Sequence, residues 1–529
     1  MGGALGRSAL TDSGAAATPA PDADMATLAR GGRLNVFGFV LRLAARLPFL
    51  FIAGRIYGAE SLGRFAYAVL TVEFAAQIAA LGLRRGLAQL LADAKKPQAC
   101  IVADAMLVAA VGSAVGMASL IAFPKAMYPT TQVHGMDHLL AITVIAIAWT
   151  DIALAALAYH DDVVSTVRAR SIVEPWTISI VAFVWSYISI DDGLIISYVF
   201  SMVAALIAAL IPLIRCYGLP RGWKPDLPTA LATAWRNVPV AAADAVEWAS
   251  RRIDLAVLGA FMPASFVGIY YVAQQVATLP AKLKTSFEPV LGPAIARRIA
   301  AGDRAAVAKQ VRQVTYWIIA AQLGIALALG IPGRAVMALV SPKFTGGTAM
   351  LTFLLAAEVI AAAAFVSEAA LIYVARKRNM MLSIIMLALE AGLAAALILV
   401  MRDEVLPQAF QATGPAIGLC VALAFASITK SRLLRRQLGE RVSGWRWDLA
   451  WATSAGVAVG VVVRLLLPQM WQLVLGVPII LLAFGLVLWT KGFGPEDREL
   501  FRMRKSQVRE LRQAEDAALA RDQIADDII

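Results

Sequence analysis

Long apolar stretches, separated by short polar segments, follow one another along almost the whole chain. Each is about 20 residues long, the length at which a helix crosses the hydrocarbon core of a bilayer. The pattern predicts an all-α polytopic membrane protein of about 14 transmembrane helices. The predicted spans are residues 34–56, 61–83, 100–123, 139–159, 171–188, 194–214, 237–261, 266–289, 314–331, 350–374, 380–401, 412–428, 447–467 and 470–489.

Polar segments divide these spans into groups. Residues 1–31 are rich in Ala, Gly, Pro and Asp and have no apolar period, which predicts a disordered cytoplasmic N-terminus. A polar linker at 215–235 separates a six-span N-lobe (32–214) from a six-span C-lobe (236–430). Two more spans (431–490) and a charged cytoplasmic tail (491–529) follow. The loops are too short to hold a folded catalytic domain, so we expect function to lie within the helix bundle.

The basic residues predict the orientation of the chain. Alternate loops hold 23 Lys and Arg residues on one side and four on the other, namely Lys125, Arg334, Lys343 and Arg402. Since basic residues accumulate in cytoplasmic loops, both termini are predicted to be cytoplasmic. The net charge of +12 is explained by these loops and does not call for a nucleic-acid partner.

Composition excludes several classes of protein. With 60% hydrophobic and 16% charged residues, the chain is too apolar for a water-soluble enzyme. Its three cysteines lie far apart and it has only three histidines, so neither a disulfide framework nor a metal site is indicated. The chain lacks the G-x-x-x-x-G-K-[ST] phosphate loop, and we expect no ATP hydrolysis and no cofactor.

An internal repeat is visible near the start of the second and eighth spans. Residues 62–68 (LGRFAYA) and 267–273 (VGIYYVA) share the pattern apolar-Gly-x-aromatic-x-x-Ala. Because both halves begin on the cytoplasmic side, the repeat would be parallel, with its axis along the membrane normal, as in transporters that move two lobes around a central cavity. Chance similarity between Ala- and Gly-rich helices is the alternative.

Three segments together resemble a known family. They are Leu34-Asn35 with Arg42 and Arg46, residues 58–65 (GAESLGRF), and residues 252–259 (RIDLAVLG) leading to 267–270 (VGIY). This combination resembles the polysaccharide-transporter branch of the multidrug/oligosaccharidyl-lipid/polysaccharide exporter superfamily, which includes O-antigen and exopolysaccharide repeat-unit flippases. The likeness extends over about residues 34–489.

The resemblance implies a V-shaped pair of six-helix lobes in the bacterial inner membrane. They would carry an undecaprenyl-diphosphate-linked oligosaccharide to the outer leaflet by alternating access. Spans 13 and 14 would add a groove for the lipid tail, by similarity to lipid II flippases. Membrane lipid, a polysaccharide polymerase and assembly proteins are the other partners that it suggests, and the coupling ion is not identified.

Polar stripes on four predicted spans indicate a wet cavity, because charged groups are costly in a bilayer. At 100° per residue, the charged residues of span seven, including Asp254, share an arc of about 100°. Arginine suits a diphosphate because its planar fork donates paired hydrogen bonds. The predicted substrate-binding residues are Asn35, Arg42, Arg46, Glu73, Gln77, Asp244, Glu247, Arg251, Gln275 and Lys282.

Two questions about these residues stay open at this point. The basic residues of the stripes could simply neutralise Glu73, Asp244, Glu247 and Asp254 across the interface between lobes, and Asp254 fits a structural bond in a bend equally well. Lone carboxylates deep in other spans could carry a coupling proton, since burial favours their protonated form. These are Asp104, Asp151, Glu358 and Glu390, of which Asp151, Glu358 and Glu390 are the main candidates.

Three function classes fit a bundle of this kind. A flippase for a lipid-linked oligosaccharide accounts best for fourteen spans and a basic first helix. A cation-coupled multidrug exporter of the same superfamily would have twelve spans and an acidic or aromatic cavity. A membrane-embedded glycan ligase would need a long outer loop bearing Arg and His, which the predicted loops lack.

Overall fold

The computed structural model describes residues 47–92, 96–225 and 227–494, and within these ranges the chain is helical with short turns and loops. The helices of the first half are α1 (47–57, ending in the π-helical turn Ala53–Tyr57), α2 (Gly58–Ala79), α3 (Leu83–Ala92), α4 (Gln98–Ala122), α5 (Leu139–Tyr159), α6 (Val163–Val167), α7 (Glu174–Trp185) and α8 (Gly193–Tyr217). The remaining helices are α9 (Leu227–Ala249), α10 (Ile253–Phe261), α11 (Ala264–Ala300), α12 (Arg304–Gly330), α13 (Gly333–Val340), α14 (Thr348–Val374), α15 (Arg376–Asp403), α16 (Gln408–Gln411), α17 (Gly414–Leu438), α18 (Trp447–Leu466), α19 (Gln469–Trp471) and α20 (Val477–Val487).

The predicted all-α polytopic fold is confirmed. Ten helical segments of the described chain are long and apolar enough to cross a membrane. The spans predicted from 61–83 onward each coincide with helical residues, and the fourth, Leu139–Tyr159, has the predicted bounds. The predicted N-terminus (1–31) lies outside the described residues, and so does the predicted tail (491–529) apart from residues 491–494. The division into two lobes and the cytoplasmic position of the termini stay predictions.

Several helices are longer than their apolar stretches. Helix α11 has 37 residues, which at 1.5 Å per residue makes it about 55 Å long, well beyond the hydrocarbon core. Its predicted cytoplasmic end carries Arg297 and Arg298. Helices α8 and α9 likewise run into the predicted linker, leaving only residues 218–226 between them. A hydropathy window misses such ends because a helix continues into water without apolar side chains.

The seventh span corrects the sequence analysis, because it is two helices and not one. Helix α9 ends at Ala249 and α10 begins at Ile253. The amides of Arg251 and Arg252 bond to carbonyl groups three residues back, at Trp248 and Ala249. This tight turn breaks the α-helical register, so Asp254 does not continue the stripe of Asp244 and Glu247. A helix break at membrane depth is tolerated where it is buried in protein or lines a cavity.

The helices pack into one continuous bundle. Helix α2 lies at its centre and contacts α4, α5, α8, α9, α10 and α11. Around it, α5, α7 and α8 pack together on one side, and α11, α12, α14, α15 and α17 on the other. Helices α18 and α20 pack against each other and against α12. The contact of α2 and α3 with α9, α10 and α11 joins the two predicted lobes, and we call it the central seam.

Candidate functional site

The outer end of the central seam, in the predicted orientation, is a crossing of α2 and α11 made by small residues. A Cβ atom added to Gly63 would lie 1.7 Å from the carbonyl oxygen of Ala264. A Cβ added to Gly268 would lie 2.0 Å from the carbonyl oxygen of Ala59. Small residues spaced four apart let membrane helices approach this closely. We call Ala59, Gly63, Ala264 and Gly268 the glycine crossing.

The glycine crossing gives structural support to the internal repeat. Gly63 and Gly268 are the glycines of the two repeated motifs, and Ala59 and Ala264 precede them by four residues. Each glycine contacts the alanine of the opposite copy. This reciprocal contact is what a two-fold axis between parallel repeats produces, and chance similarity does not require it.

The middle of the central seam holds an ion pair between the two predicted lobes. Arg252, in the break between α9 and α10, places Nη2 3.1 Å from Oε2 of Glu73 on α2. The Tyr198 hydroxyl of α8 donates to the other Glu73 oxygen at 3.4 Å. The Arg252 guanidinium lies 5.8 Å from the Trp248 ring centre, and Phe74 packs 5.1 Å from the same ring. Charged, aromatic and hydroxyl groups therefore meet midway along the second and seventh predicted spans.

The predicted cytoplasmic end of the seam is held by a second set of charges. Arg85 of α3 pairs with Asp244 at 3.0 Å and with Glu247 at 2.5 Å. Glu247 also accepts from Arg251, one turn along its own helix, at 3.0 Å. Close packing accompanies the charges, since a Cβ on Gly86 would lie 2.8 Å from the side-chain oxygen of Asn237. We call Arg85, Asp244 and Glu247 the inner charge contact.

These contacts decide part of the open question about charge neutralisation. Glu73, Asp244 and Glu247 are paired across the seam, as the neutralisation hypothesis expects, but the cross-seam partners are Arg85 and Arg252. Arg251, which we predicted to line the cavity, has 65% of its side chain exposed and pairs within its own helix. The break at residues 250–252 explains the difference, because it turns Arg252 and not Arg251 toward α2.

Asp254 lies behind the seam in a polar cluster of its own. It accepts hydrogen bonds from the Tyr270 hydroxyl at 2.7 Å, from the Leu255 amide at 2.8 Å and from the Gln274 amide at 3.2 Å. Glu390 of α15 is 1% exposed and interacts electrostatically with Asp254. Neither carboxyl oxygen of Glu390 has a hydrogen-bond partner among the described residues. Asp254 is thus held in place by neighbours, whereas Glu390 is buried without such support.

The other carboxylates predicted to be alone have partners, which corrects the sequence analysis. Asp151 pairs with Arg170, and Arg170 also pairs with Glu174 at 2.9 Å. Asp104 accepts from the Trp223 indole at 2.8 Å. Glu358 likewise interacts with a neighbour. Sequence spacing could not show the contacts of Asp151 and Asp104, because their partners Arg170 and Trp223 lie in other parts of the chain.

The remaining predicted site residues are divided between the seam and the undescribed part of the chain. Asn35, Arg42 and Arg46 lie outside the described residues. Gln77, Gln275 and Lys282 are half-buried on α2 and α11. Of the residues that the sequence analysis missed, Arg85 had one signal, its place in a short helix with an apolar face. Arg252 begins the motif at 252–259 (RIDLAVLG), but nothing in the sequence indicated its contact with Glu73, which depends on the helix break. Trp248 had no signal, for the same reason.

Comparison with known proteins identifies the fold. No family model and no curated protein sequence matches the chain. Among solved structures it is similar to the lipid II flippase MurJ in an inward closed conformation, with a TM-score of 0.62 and 12% identity over 88% of this chain and 100% of that one.

Two transporters of the MOP (multidrug/oligosaccharidyl-lipid/polysaccharide exporter) superfamily are also similar to the chain. An inward-facing multidrug resistance MATE family transporter has a TM-score of 0.58 and 14% identity, over 76% of this chain and 98% of that one. A transporter from Pyrococcus furiosus, described as having a binding pocket of reverse polarity, has a TM-score of 0.52 and 12% identity, over 78% of this chain and 95% of that one. The chain therefore has the fold of MOP superfamily transporters.

Proposed function

We propose that the protein translocates an undecaprenyl-diphosphate-linked oligosaccharide repeat unit across the bacterial inner membrane by alternating access. Its product would serve O-antigen, capsule or exopolysaccharide biosynthesis. The observation that carries the proposal is the central seam, where two copies of an internal repeat meet and charged and aromatic groups face each other at membrane depth. The fold shared with a lipid II flippase supports a lipid-linked substrate.

The side chains of the seam suit both parts of such a substrate. Arginine recognises a diphosphate because its planar fork donates parallel hydrogen bonds. Arg252 is one such group, and Arg42 and Arg46 stay proposed as the others. Gln77, Gln275 and the seam carboxylates can bind sugar hydroxyls, and a sugar ring can lie against Trp248. The paired helices α18 and α20 are the proposed site of the lipid tail.

Multidrug export is the second candidate function. The structural neighbours include multidrug transporters, and the buried carboxyl groups of the seam and of Glu390 favour a cationic ligand. The two candidates differ in the charge of what is moved. A diphosphate lipid requires Arg252 and the proposed Arg42 and Arg46, whereas a cationic drug requires carboxylates and tolerates loss of those arginines.

Glu390 is our proposed coupling carboxylate, ahead of Asp151 and Glu358, because its oxygens have no hydrogen-bond partner among the described residues. A buried carboxyl group without a counter-charge gains or loses a proton as its surroundings change. We expect Glu390→Gln to abolish the dependence of transport on an ion gradient. Asp151→Asn is the matched control, since the ion pair of Asp151 with Arg170 gives it a structural role.

The direct test is lipid movement by the full-length chain in proteoliposomes. A fluorescent undecaprenyl-diphosphate oligosaccharide becomes accessible to a membrane-impermeant quencher when it changes leaflet. We expect movement by the wild type and little by the double variant Arg42→Ala/Arg46→Ala, with partial rescue by lysine. Movement of cationic drugs, but not of this lipid, would overturn the flippase proposal in favour of export.

The predicted orientation has its own test. A reporter fused after Ala409 should be periplasmic and one fused after Gln437 cytoplasmic, because Arg402 stands alone in the first loop and four basic residues precede the second site. In the structure Ala409 lies in α16, just before α17 begins, and Gln437 lies in the last turn of α17. The two fusion sites are therefore at opposite ends of α17. The reverse result would exchange the inner and outer ends of the seam.

A further inference from the structure

We propose that Glu73 is a built-in counter-anion, which occupies Arg252 while the seam is empty and gives way to the diphosphate group of the substrate. The inference rests on the proposed function and names the group that receives the anionic part of the substrate. Its basis is the position of the ion pair, whose two members belong to different predicted lobes and meet at the helix break.

The ion pair is accessible although it lies in the second and seventh spans. The exposed fractions of the side chains are 34% for Arg252 and 26% for Glu73. The guanidinium of Arg252 is thus more exposed than the ammonium of Lys430, of whose side chain 3% is exposed although its partner Glu368 is 40% exposed. An anion entering the seam can therefore reach the guanidinium of Arg252.

The geometry of the ion pair also allows a stronger anionic ligand to compete with Glu73 for Arg252. Glu73 meets Arg252 through one nitrogen, Nη2, at 3.1 Å. A guanidinium has five N–H donors in a planar fork, and a diphosphate can accept two parallel bonds and carries more charge than a carboxylate. The Tyr198 hydroxyl, which already donates to Glu73 at 3.4 Å, can keep the displaced carboxylate as its acceptor.

Exchange of the two anions would couple binding to movement. The Glu73–Arg252 pair holds α2 against the break between α9 and α10, so it stabilises the closed seam. A ligand that replaces Glu73 binds the open seam better than the closed one and shifts the population toward opening. A neutral lipid, or one with a monophosphate, would replace Glu73 less well. The ion pair would thus select for a diphosphate.

Binding of farnesyl diphosphate to the full-length protein in nanodiscs tests the exchange. If Glu73 competes with the ligand, Glu73→Gln should bind the probe about fivefold more tightly, the largest gain expected from removing one partly exposed ion pair. Arg252→Gln should bind about tenfold more weakly, and Arg252→Lys should lie between it and the wild type. The double variant Glu73→Gln/Arg252→Gln should behave like Arg252→Gln alone.

The matched control is Glu368→Gln, which removes the carboxylate of another ion pair between helices, 2.9 Å from Lys430, without touching Arg252. Its affinity for the probe should be unchanged. Weaker binding by Glu73→Gln would overturn the exchange and make Glu73 a supporting residue for Arg252. Equal affinities of all the variants for the probe would also overturn the exchange, provided that the wild type still binds the probe and moves lipid.

Absence of probe binding by the wild-type protein has a different meaning. Together with a failure to move the lipid-linked oligosaccharide, it would overturn the proposed function and the exchange at once. If Arg252→Gln does not fold, the order of probe affinity among Glu73→Gln, the wild type and Arg252→Lys still shows whether Glu73 competes with the diphosphate. Farnesyl monophosphate, tested in parallel, should gain less from Glu73→Gln than the diphosphate does.

Discussion

The two ends of the central seam are closed by opposite kinds of contact. At the glycine crossing, backbone atoms of α2 and α11 meet at distances that leave no space for a side chain at Gly63 or Gly268. At the inner charge contact, Arg85 joins two carboxylates and is 48% exposed. The first contact depends on close backbone packing, while the second depends on charge and is nearly half exposed at Arg85 and Glu247, although Asp244 is 3% exposed.

This difference indicates which end of the seam opens more easily. Close packing of helices in a membrane is lost abruptly when the helices separate, because dispersion forces act over very short distances. An exposed ion pair contributes only about 0–1 kcal/mol, since water and salt screen it. We therefore expect the predicted cytoplasmic end to open at small cost and the predicted outer end to open only when the two repeats move apart.

The largest effect is expected from a single methyl group at the glycine crossing. In Gly63→Ala the new Cβ would overlap the carbonyl oxygen of Ala264, and no change of rotamer can relieve an overlap with backbone. We expect a cost of roughly 3 kcal/mol in the closed state, at the upper end of overpacking effects. Lipid movement in proteoliposomes should fall at least about tenfold, and Gly268→Ala should act alike because the crossing is reciprocal.

Gly392→Ala is the control for this prediction. Gly392 is also a glycine inside a long helix, but nothing lies within 4 Å of an added Cβ there. Its variant should transport normally. Normal transport by Gly63→Ala as well would show that the outer ends are not held together by this crossing, and the comparison between the two ends would lose its basis.

A smaller effect is expected from reversing charge at the inner charge contact. In Arg85→Glu three carboxylates would meet, so the predicted cytoplasmic end should spend more time open. With Cys100, Cys216 and Cys420 removed, a cysteine at Gln77 should react about three- to fivefold faster with a thiol reagent applied from that side, as the loss of about 1 kcal/mol implies.

The matched variant restores the attraction with the charges exchanged. Arg85→Glu combined with Glu247→Arg should return the labelling rate toward that of the unsubstituted background. If the double variant labels as fast as Arg85→Glu alone, the charges do not hold this end closed, and the packing of Gly82 and Gly86 against α9 would be the stronger contact.

The sequence predicted the helices far better than the contacts between them. Hydropathy locates spans because burial in lipid acts on each stretch separately, and α5 has its predicted bounds. The motif around Gly63 and Gly268 was also readable, although its reciprocal contact was not. Arg252 was missed because a continuous helix of 100° per residue places Arg251 in the stripe. Only the break at residues 250–252 reveals the residue that meets Glu73.

The smallest effect, and the one that separates the two ends most cleanly, is that of salt on the unmodified seam. Raising the ionic strength from about 0.05 to 0.5 M shortens the screening length from about 14 to 4 Å. Because Arg85 and Glu247 are nearly half exposed, labelling of a cysteine at Gln77 should rise about twofold. A cysteine at Thr130, beside the outer end of the seam, should label at the same rate at both concentrations, since the glycine crossing is a close backbone contact and not an ion pair. A salt response of equal size at both positions would mean that the ends open together as one rigid movement, and that the contrast in their chemistry does not set the order of opening.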